Sequence, residues 1–164
     1  MDMSSAIQLS HSAMGNIVSL EGTPKIRIVI VEKHAAVRRA LCKRLSATSH
    51  LDVIAAIQEP AEAGAFLSAL DAPNKCGPFA DVILLGLQNE TDEELFKTIE
   101  TVKHLSRYSA AIIVLAPFAD EVERRLMEQA GVASYLLKYI DSPGLIREIE
   151  SASHRYSTSV SRGM

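Results

Sequence analysis

The sequence predicts a parallel α/β domain: a doubly wound five-stranded sheet with five helices, stacked as a three-layer α/β/α sandwich. Three observations carry this. Short apolar runs rich in Val, Ile and Leu occur five times, and each is followed by a segment with apolar residues at helical spacing. The connections are short, and parallel strands can be joined only by crossovers that lay a helix on a face of the sheet. Several of the helical segments open on a capping residue or a proline, and one closes on glycine.

The first strand is "IRIVIV", Ile26 to Val31, a β-branched run suited to burial on both faces. "HAAVRRALCKRLSAT" follows, begun by His34, with Val37, Leu41 and Leu45 as its apolar stripe. "LDVIAAI", Leu51 to Ile57, is the second strand, and "PAEAGAFLSAL" is the second helix with Pro60 in its first turn. A loop, "DAPNKCGP", leads to the third strand, "DVILL", which ends at Gly86. The third helix has Thr91 and Glu94 at capping-box spacing and Leu95, Ile99 and Val102 as its stripe. "AIIVL", Ala111 to Leu115, is the fourth strand. The fourth helix opens on an acidic variant of the same box, Asp120 with Glu123, carries Val122, Leu126 and Ala130 inward, and stops at Gly131. "ASYLL" and "SPGLIREIESA" complete the fifth pair, with Ser142 as the expected N-cap and Pro143 at the first helical position.

With 164 residues, 48% of them hydrophobic, the chain is long enough for one domain with a substantial core and too short for two. Residues 1–24 show no sustained period and read as an extension, 25–153 as the domain and 154–164 as a tail. The 17 Lys and Arg against 20 Asp and Glu give a net charge of −3, which lacks the electrostatic footprint of a nucleic-acid-binding surface. Cys42 and Cys76 fit neither a disulfide framework nor a metal-ligand spacing. No apolar run approaches the roughly 18 residues of a membrane span, so the expectation is a soluble, cytoplasmic protein.

In a doubly wound sheet, ligands bind beyond the carboxyl ends of the strands, where strand order reverses. The residues just past each strand include Glu32 and Lys33, Gly86, Ala116, and Lys138. From "IRIVIVEKHAAVRRAL", "DVILLGLQ", "IIVLAPF" and "AGVASYLLKYIDSPGLI", in this order and spacing, the chain resembles the receiver domains of two-component response regulators, of flavodoxin-like and CheY-like fold. It looks most like the branch that carries a C-terminal helix-turn-helix. In that family two acidic residues after the first strand hold a divalent cation, and an aspartate at the end of the third strand accepts a phosphoryl group. A Ser or Thr and a Lys contact its oxygens. Carried over, the resemblance puts Glu32 and Lys33 at the acidic pair, Gly86 at the acceptor, Ala116 at the hydroxyl residue and Lys138 at the lysine. Tyr135 matches the aromatic switch residue, and Asn89 and Glu90 replace the Met-Pro pair that commonly follows the acceptor.

Phosphoryl transfer of this kind needs a carboxylate nucleophile and a hard cation, and glycine supplies no side chain for either role. Lys33 is expected to sit near the missing cation and pair with Glu32. The expected outcome is a degenerate pocket with no metal, no cofactor and no catalytic residue, in a phosphorylation-independent pseudo-receiver that is not an enzyme. It would act in signalling or transcription regulation by association with a protein partner or with itself as a homodimer, without touching nucleic acid or membrane directly. Arg124, Arg125 and Glu128 of the fourth helix, with Tyr139 and Ile140 after the fifth strand, form the candidate partner face. Two other readings stand beside it. One is the receiver part of a DNA-binding regulator whose output domain is absent from this chain. The other is a weak anion or small-ligand site at Lys33 and Lys138, using the space left by Gly86. Asp81 precedes its strand and is expected at the opposite edge of the sheet. Thr91 and Asp92 belong to a helix cap rather than to the pocket.

Overall fold

The computed structural model describes residues 24–70, 79–88 and 91–162. The extension expected over 1–24, apart from Pro24, lies outside the described residues, as do the loop from Asp71 to Pro78 with Cys76, and Asn89 with Glu90. Five strands and five helices alternate along the chain: β1 (Ile26–Val31), α1 (Ala35–Ser46), β2 (Leu51–Ile57), α2 (Pro60–Leu70), β3 (Val82–Gly86), α3 (Asp92–Leu105), β4 (Ala111–Ala116), α4 (Glu121–Ala130), β5 (Ser134–Leu137) and α5 (Ser142–Arg162). Every pairing is parallel, in the order β2-β1-β3-β4-β5, so the strand order reverses between β1 and β3. This is the doubly wound architecture expected from the sequence.

Alternation along the central strands builds two cores. Val29, Val31, Ile83, Leu85, Ile112 and Val114 face the layer of α2, α3 and α4, while Ile28, Ile30, Val82, Leu84, Ile113 and Leu115 face α1 and α5. All six residues of β4 are buried, which explains why its sequence is an unbroken apolar run rather than an alternating one. The sheet edge at β2 carries a bulge, since Ile28 pairs with Val53 and Val29 with Ala55.

The helix ends follow their residues with three corrections. Thr91 and Glu94 close the capping box, the Thr91 hydroxyl accepting from Glu94 N and the Glu94 carboxylate accepting from Thr91 N at 2.8 Å. Asp120 accepts from Val122 N and Glu123 N, but the Glu123 carboxylate turns away from the cap to take the Tyr135 hydroxyl. At α5 the cap is Asp141, whose Oδ1 accepts from Gly144 N at 2.8 Å, and not Ser142, whose hydroxyl accepts from Arg44 Nε. Pro143 is accordingly the second helical residue. Gly131 does end α4 in the left-handed region, with φ of 116°.

Two apolar assignments also change. Val122 is 68% exposed, and the inward face of α4 is carried by Leu126, Met127 and Ala130. The boundary expected at residue 153 falls inside α5, which continues to Arg162. The hydroxyls that suggested a coil are accommodated by bonding back along the helix, Ser157 to the Ser153 carbonyl and Thr158 to the His154 carbonyl, while Tyr156 extends the packed stripe of Leu145, Ile149 and Ala152.

Candidate functional site

The carboxyl ends of β1, β3 and β5 converge on one side chain. Glu32, the residue after β1, is the buried charged group of the described residues, with 1% of its surface exposed. Backbone continuity places it there: Glu32 N donates to the Ile57 carbonyl at 2.9 Å, so the ladder with β2 extends one residue past β1. Its carbonyl accepts from Arg38 Nη1 at 2.7 Å, which ties the first turn of α1 to the strand end. The carboxylate then folds over the end of β3. A Cβ added to Gly86 would lie 1.8 Å from Glu32 Oε2 and 2.8 Å from its Cδ. Gly86 has no positive φ, so it is the room occupied by Glu32, and not backbone freedom, that a side chain here would remove.

Lys138 supplies the countercharge. Its Nζ lies 3.1 Å from Glu32 Oε2 and donates to Oε1 at 3.3 Å, with the lysine side chain 16% exposed and the carboxylate fully enclosed. Oε1 also accepts from His34 N at 3.0 Å and from Gln88 Nε2 at 3.2 Å. Oε2 makes no hydrogen bond among the described residues, so its contact with the ammonium is one of charge alone. Taking a carboxylate and an ammonium out of water costs several kcal/mol each, and such a pair persists only where geometry and further hydrogen bonds offset that cost. Three donors on one oxygen meet that requirement for Glu32.

Of the residues expected together, the structure unites Glu32, Gly86 and Lys138. Lys33 is a correction: it is exposed, and its ammonium helps to depress the pKa of Glu94 rather than pairing with Glu32. The first cause of that depression is the Thr91 backbone N–H held by the Glu94 carboxylate. Lys33 therefore does not replace a cation beside Glu32. The pairing falls to Lys138, because successive residues past a strand point to opposite sides. Ala116 is fully buried in the core under α2, α3 and α4, and its carbonyl accepts from Lys138 N at 2.8 Å. His34 contributes only its backbone N–H, and Asp81 lies at the opposite edge as expected, accepting from Arg27 N at 2.8 Å. Sequence reasoning missed Gln88 and Arg38. Gln88 sits two residues past Gly86 and so returns to the same side, a signal available from strand alternation.

The residues brought together do not suit a divalent cation. Such an ion needs several oxygen ligands, whereas a single carboxylate is present, one oxygen of which already accepts from an amine and two N–H donors while the other lies against the same ammonium. Among the described residues no group of three or more His, Cys, Asp or Glu side chains is placed to hold a metal. Lys138 is engaged by Glu32, while Lys33 lines a cleft that Gly86 and Gln88 also border. That cleft, about 540 Å³, lies between β3, the start of α2 and the first turns of α3, and mixes Lys33 and Lys97 with Glu59 and Glu94.

The β4 and β5 ends are finished differently. Tyr135 is half-buried, and its hydroxyl donates to the Glu123 carboxylate and lies 3.3 Å from the Phe118 carbonyl. Burial, followed by that bond to Glu123, pushes its pKa above the ordinary 10.0. Around it Phe118, Val122 and Tyr139 are 66%, 68% and 76% exposed. Tyr139 thus agrees with the expected partner face, whereas Ile140 is a correction: it packs into the core under α1 and α5. Arg124 and Arg125 are exposed but both pair with Glu121 of their own helix, at 2.6 and 3.5 Å. Glu128 is exposed on the same helix.

Comparison with known proteins fits this geometry. No family model matches the chain. The chain is 30% identical over 128 residues to transcriptional regulatory protein LiaR of Bacillus subtilis (strain 168), a match covering 78% of this chain and 56% of that protein. The chain thus spans little more than half the length of this relative. Among solved structures, it is similar to the signal receiver domain of NarL from Mycobacterium tuberculosis, with a TM-score of 0.65, 16% identity and coverage of 80% and 98% of the two chains. It is also similar to a CheY-like response regulator receiver domain protein from Methanospirillum hungatei JF-1, with a TM-score of 0.61, 18% identity and coverage of 82% and 98%. In its fold the chain is similar to response regulator receiver domains of the CheY-like type, and in sequence it matches part of LiaR.

Proposed function

We propose that this receiver domain works without phosphorylation, as a pseudo-receiver that passes a signal by protein association rather than by chemistry. The observation that carries the reading is the seat of Glu32. At the position that the receiver resemblance gives to the acceptor there is no side chain, and the space above it holds a carboxylate from the neighbouring strand already neutralised by Lys138. A phosphoryl group arriving there would find no acceptor side chain and would have to compete with the Glu32 carboxylate for Lys138. Among the described residues no nucleophile with an adjacent base stands at the strand ends, so the domain is not an enzyme in this reading. The exposed apolar groups Phe118, Val122 and Tyr139 beside Arg124, Arg125 and Glu128 are the surface offered to a partner or to a second copy. The direct test is incubation with acetyl phosphate and Mg²⁺, followed by intact mass and by titration calorimetry. The expected result is no mass gain and no cation binding up to millimolar Mg²⁺. A phosphoryl adduct, or saturable Mg²⁺ binding, overturns the proposal.

A second reading has an observation of its own. The match to LiaR covers 56% of a protein described as a transcriptional regulator. The domain would then govern a DNA-binding part in the same or an associated chain. An electrophoretic shift assay with the complete gene product separates this from an output made through proteins alone.

A further inference from the structure

We infer that Glu32 and Gly86 form an interlock, and that Glu32 is thereby the positioning residue of the loop between β5 and α5. Lys138 begins that loop, and Tyr139 and Ile140 follow it. The loop is tethered at several points. Lys138 N donates to the Ala116 carbonyl at 2.8 Å, and the Lys138 side chain reaches across two strands to Glu32. Arg44 of α1 donates to the Ile140 carbonyl at 2.8 Å and to the Ser142 hydroxyl at 2.9 Å. Ile140 N closes back on the Leu137 carbonyl at 3.0 Å. The α1 end of this set is joined to Glu32 as well, through Arg38. Of these ties, the Lys138–Glu32 pair alone runs from the loop to the Glu32 carboxylate, and it requires that the carboxylate lie over a residue without a side chain. The three heavy atoms nearest an added Cβ at position 86 all belong to Glu32, the farthest at 3.6 Å. Any side chain there therefore expels the carboxylate before it meets anything else, and an expelled Glu32 releases Lys138.

The inference deepens the pseudo-receiver reading and rests on it in one respect: a charge built into the chain stands in for the external group that Lys138 would otherwise engage. The loop beside the exposed Tyr139 is then held in one arrangement at all times. Gly86, in this view, is required for the seat of Glu32 and is not simply a lost acceptor.

The test is a double-variant cycle of Glu32→Ala, Gly86→Ala and the combined variant, read by urea unfolding and by the ¹⁵N amide shifts of Tyr139 and Ile140, with Glu32→Gln as a neutral variant of the same shape. Each single variant is expected to lower the urea midpoint and to move both amides in the same direction. The combined variant is expected to be no less stable than Glu32→Ala, since its added methyl group meets no carboxylate. Glu32→Gln is expected to move the amides too, because it can keep an acceptor for Lys138 but removes the charge of the pair. Additive losses in the combined variant overturn the interlock, and unmoved amides in Glu32→Gln overturn the positioning role. Should Gly86→Ala fail to fold, the combined variant still decides: it folds as well as Glu32→Ala if the interlock holds, and fails with Gly86→Ala if it does not. Phosphoryl uptake by the unaltered protein would end the pseudo-receiver reading while leaving the outcome of the cycle to stand.

Discussion

The strand ends over β1 and β3 and those over β4 and β5 belong to the same edge of one parallel sheet, yet they are finished in opposite ways. Over β1 and β3 a carboxylate is drawn inward until it is 1% exposed, and its charge is spent on Lys138 and on donors from His34 and Gln88. Over β4 and β5, Lys138 apart, Arg124 and Arg125 stay in solvent and pair with Glu121 of their own helix, while Phe118, Val122 and Tyr139 turn outward. In the first arrangement the Glu32 carboxylate and the Lys138 ammonium already neutralise one another. The second leaves apolar surface uncovered, which in a folded domain costs nothing in hydrogen bonding and favours contact with another protein. A sheet end that ordinarily couples chemistry to recognition is here divided into a sealed half and an open half, and each half can be perturbed separately.

The largest effect is expected at the sealed half. Lys138→Met leaves the Glu32 carboxylate enclosed without a countercharge and should cost about 3 kcal/mol in urea unfolding, the lower part of the range for breaking a buried pair because the lysine itself reaches solvent. A loss below about 1 kcal/mol would show that the pair is not the structural centre of this half. Next is the cap beside the cleft. Thr91→Ala removes the hydroxyl that accepts from the third residue of α3 and is expected to lower stability by about 1 kcal/mol, with the midpoint of thermal unfolding as the measure.

At the open half the effects are smaller and depend on pH. The Tyr135 hydroxyl has its pKa raised in the fold, so its contribution is fully present below the ordinary value of 10.0 and is lost as pH climbs beyond it. The unaltered protein should therefore lose stability above about pH 10 more steeply than Tyr135→Phe, which has no such proton to lose. Equal slopes for the two proteins would show that the bond to Glu123 is not maintained in solution. The smallest change in stability is expected for Arg124→Glu with Arg125→Glu, since exposed pairs on one helix contribute little. The same double reversal should abolish association with a partner or a second copy, measured by sedimentation. Association left intact would move the partner face away from α4.

Much of this architecture was legible because it depends on period and on local chemistry. Fully apolar runs such as Ala111 to Leu115 mark strands covered on both faces, and capping residues such as Thr91 and Asp120 act through atoms within four positions along the chain. The errors fell where partners distant in sequence compete for the same atom. Asp120 and Glu123 have the spacing of a reciprocal cap, but Tyr135, twelve residues on, takes the glutamate. Ser142 has the type of an N-cap, but Arg44, 98 residues away, takes its hydroxyl and leaves the cap to Asp141. Val122 satisfies the spacing of an inward stripe, yet it is exposed while Leu126, Met127 and Ala130 carry the inward face.

The pocket divides in the same way. Sequence alone determined the parallel sheet, the set of residues that reach its carboxyl edge, and the absence of a side chain at Gly86, because residue type and strand position are local properties. Only the tertiary structure decided what fills that absence. Glu32 and Lys138 are 106 positions apart, and which lysine pairs with the carboxylate depends on side-chain direction past two strand ends: Lys33, adjacent in the chain, is turned outward, while Lys138 is carried in by β5. Charge and volume at one point in space are set by several strands at once, so a glycine that reads as a gap in one strand proves to be the seat of a carboxylate from another.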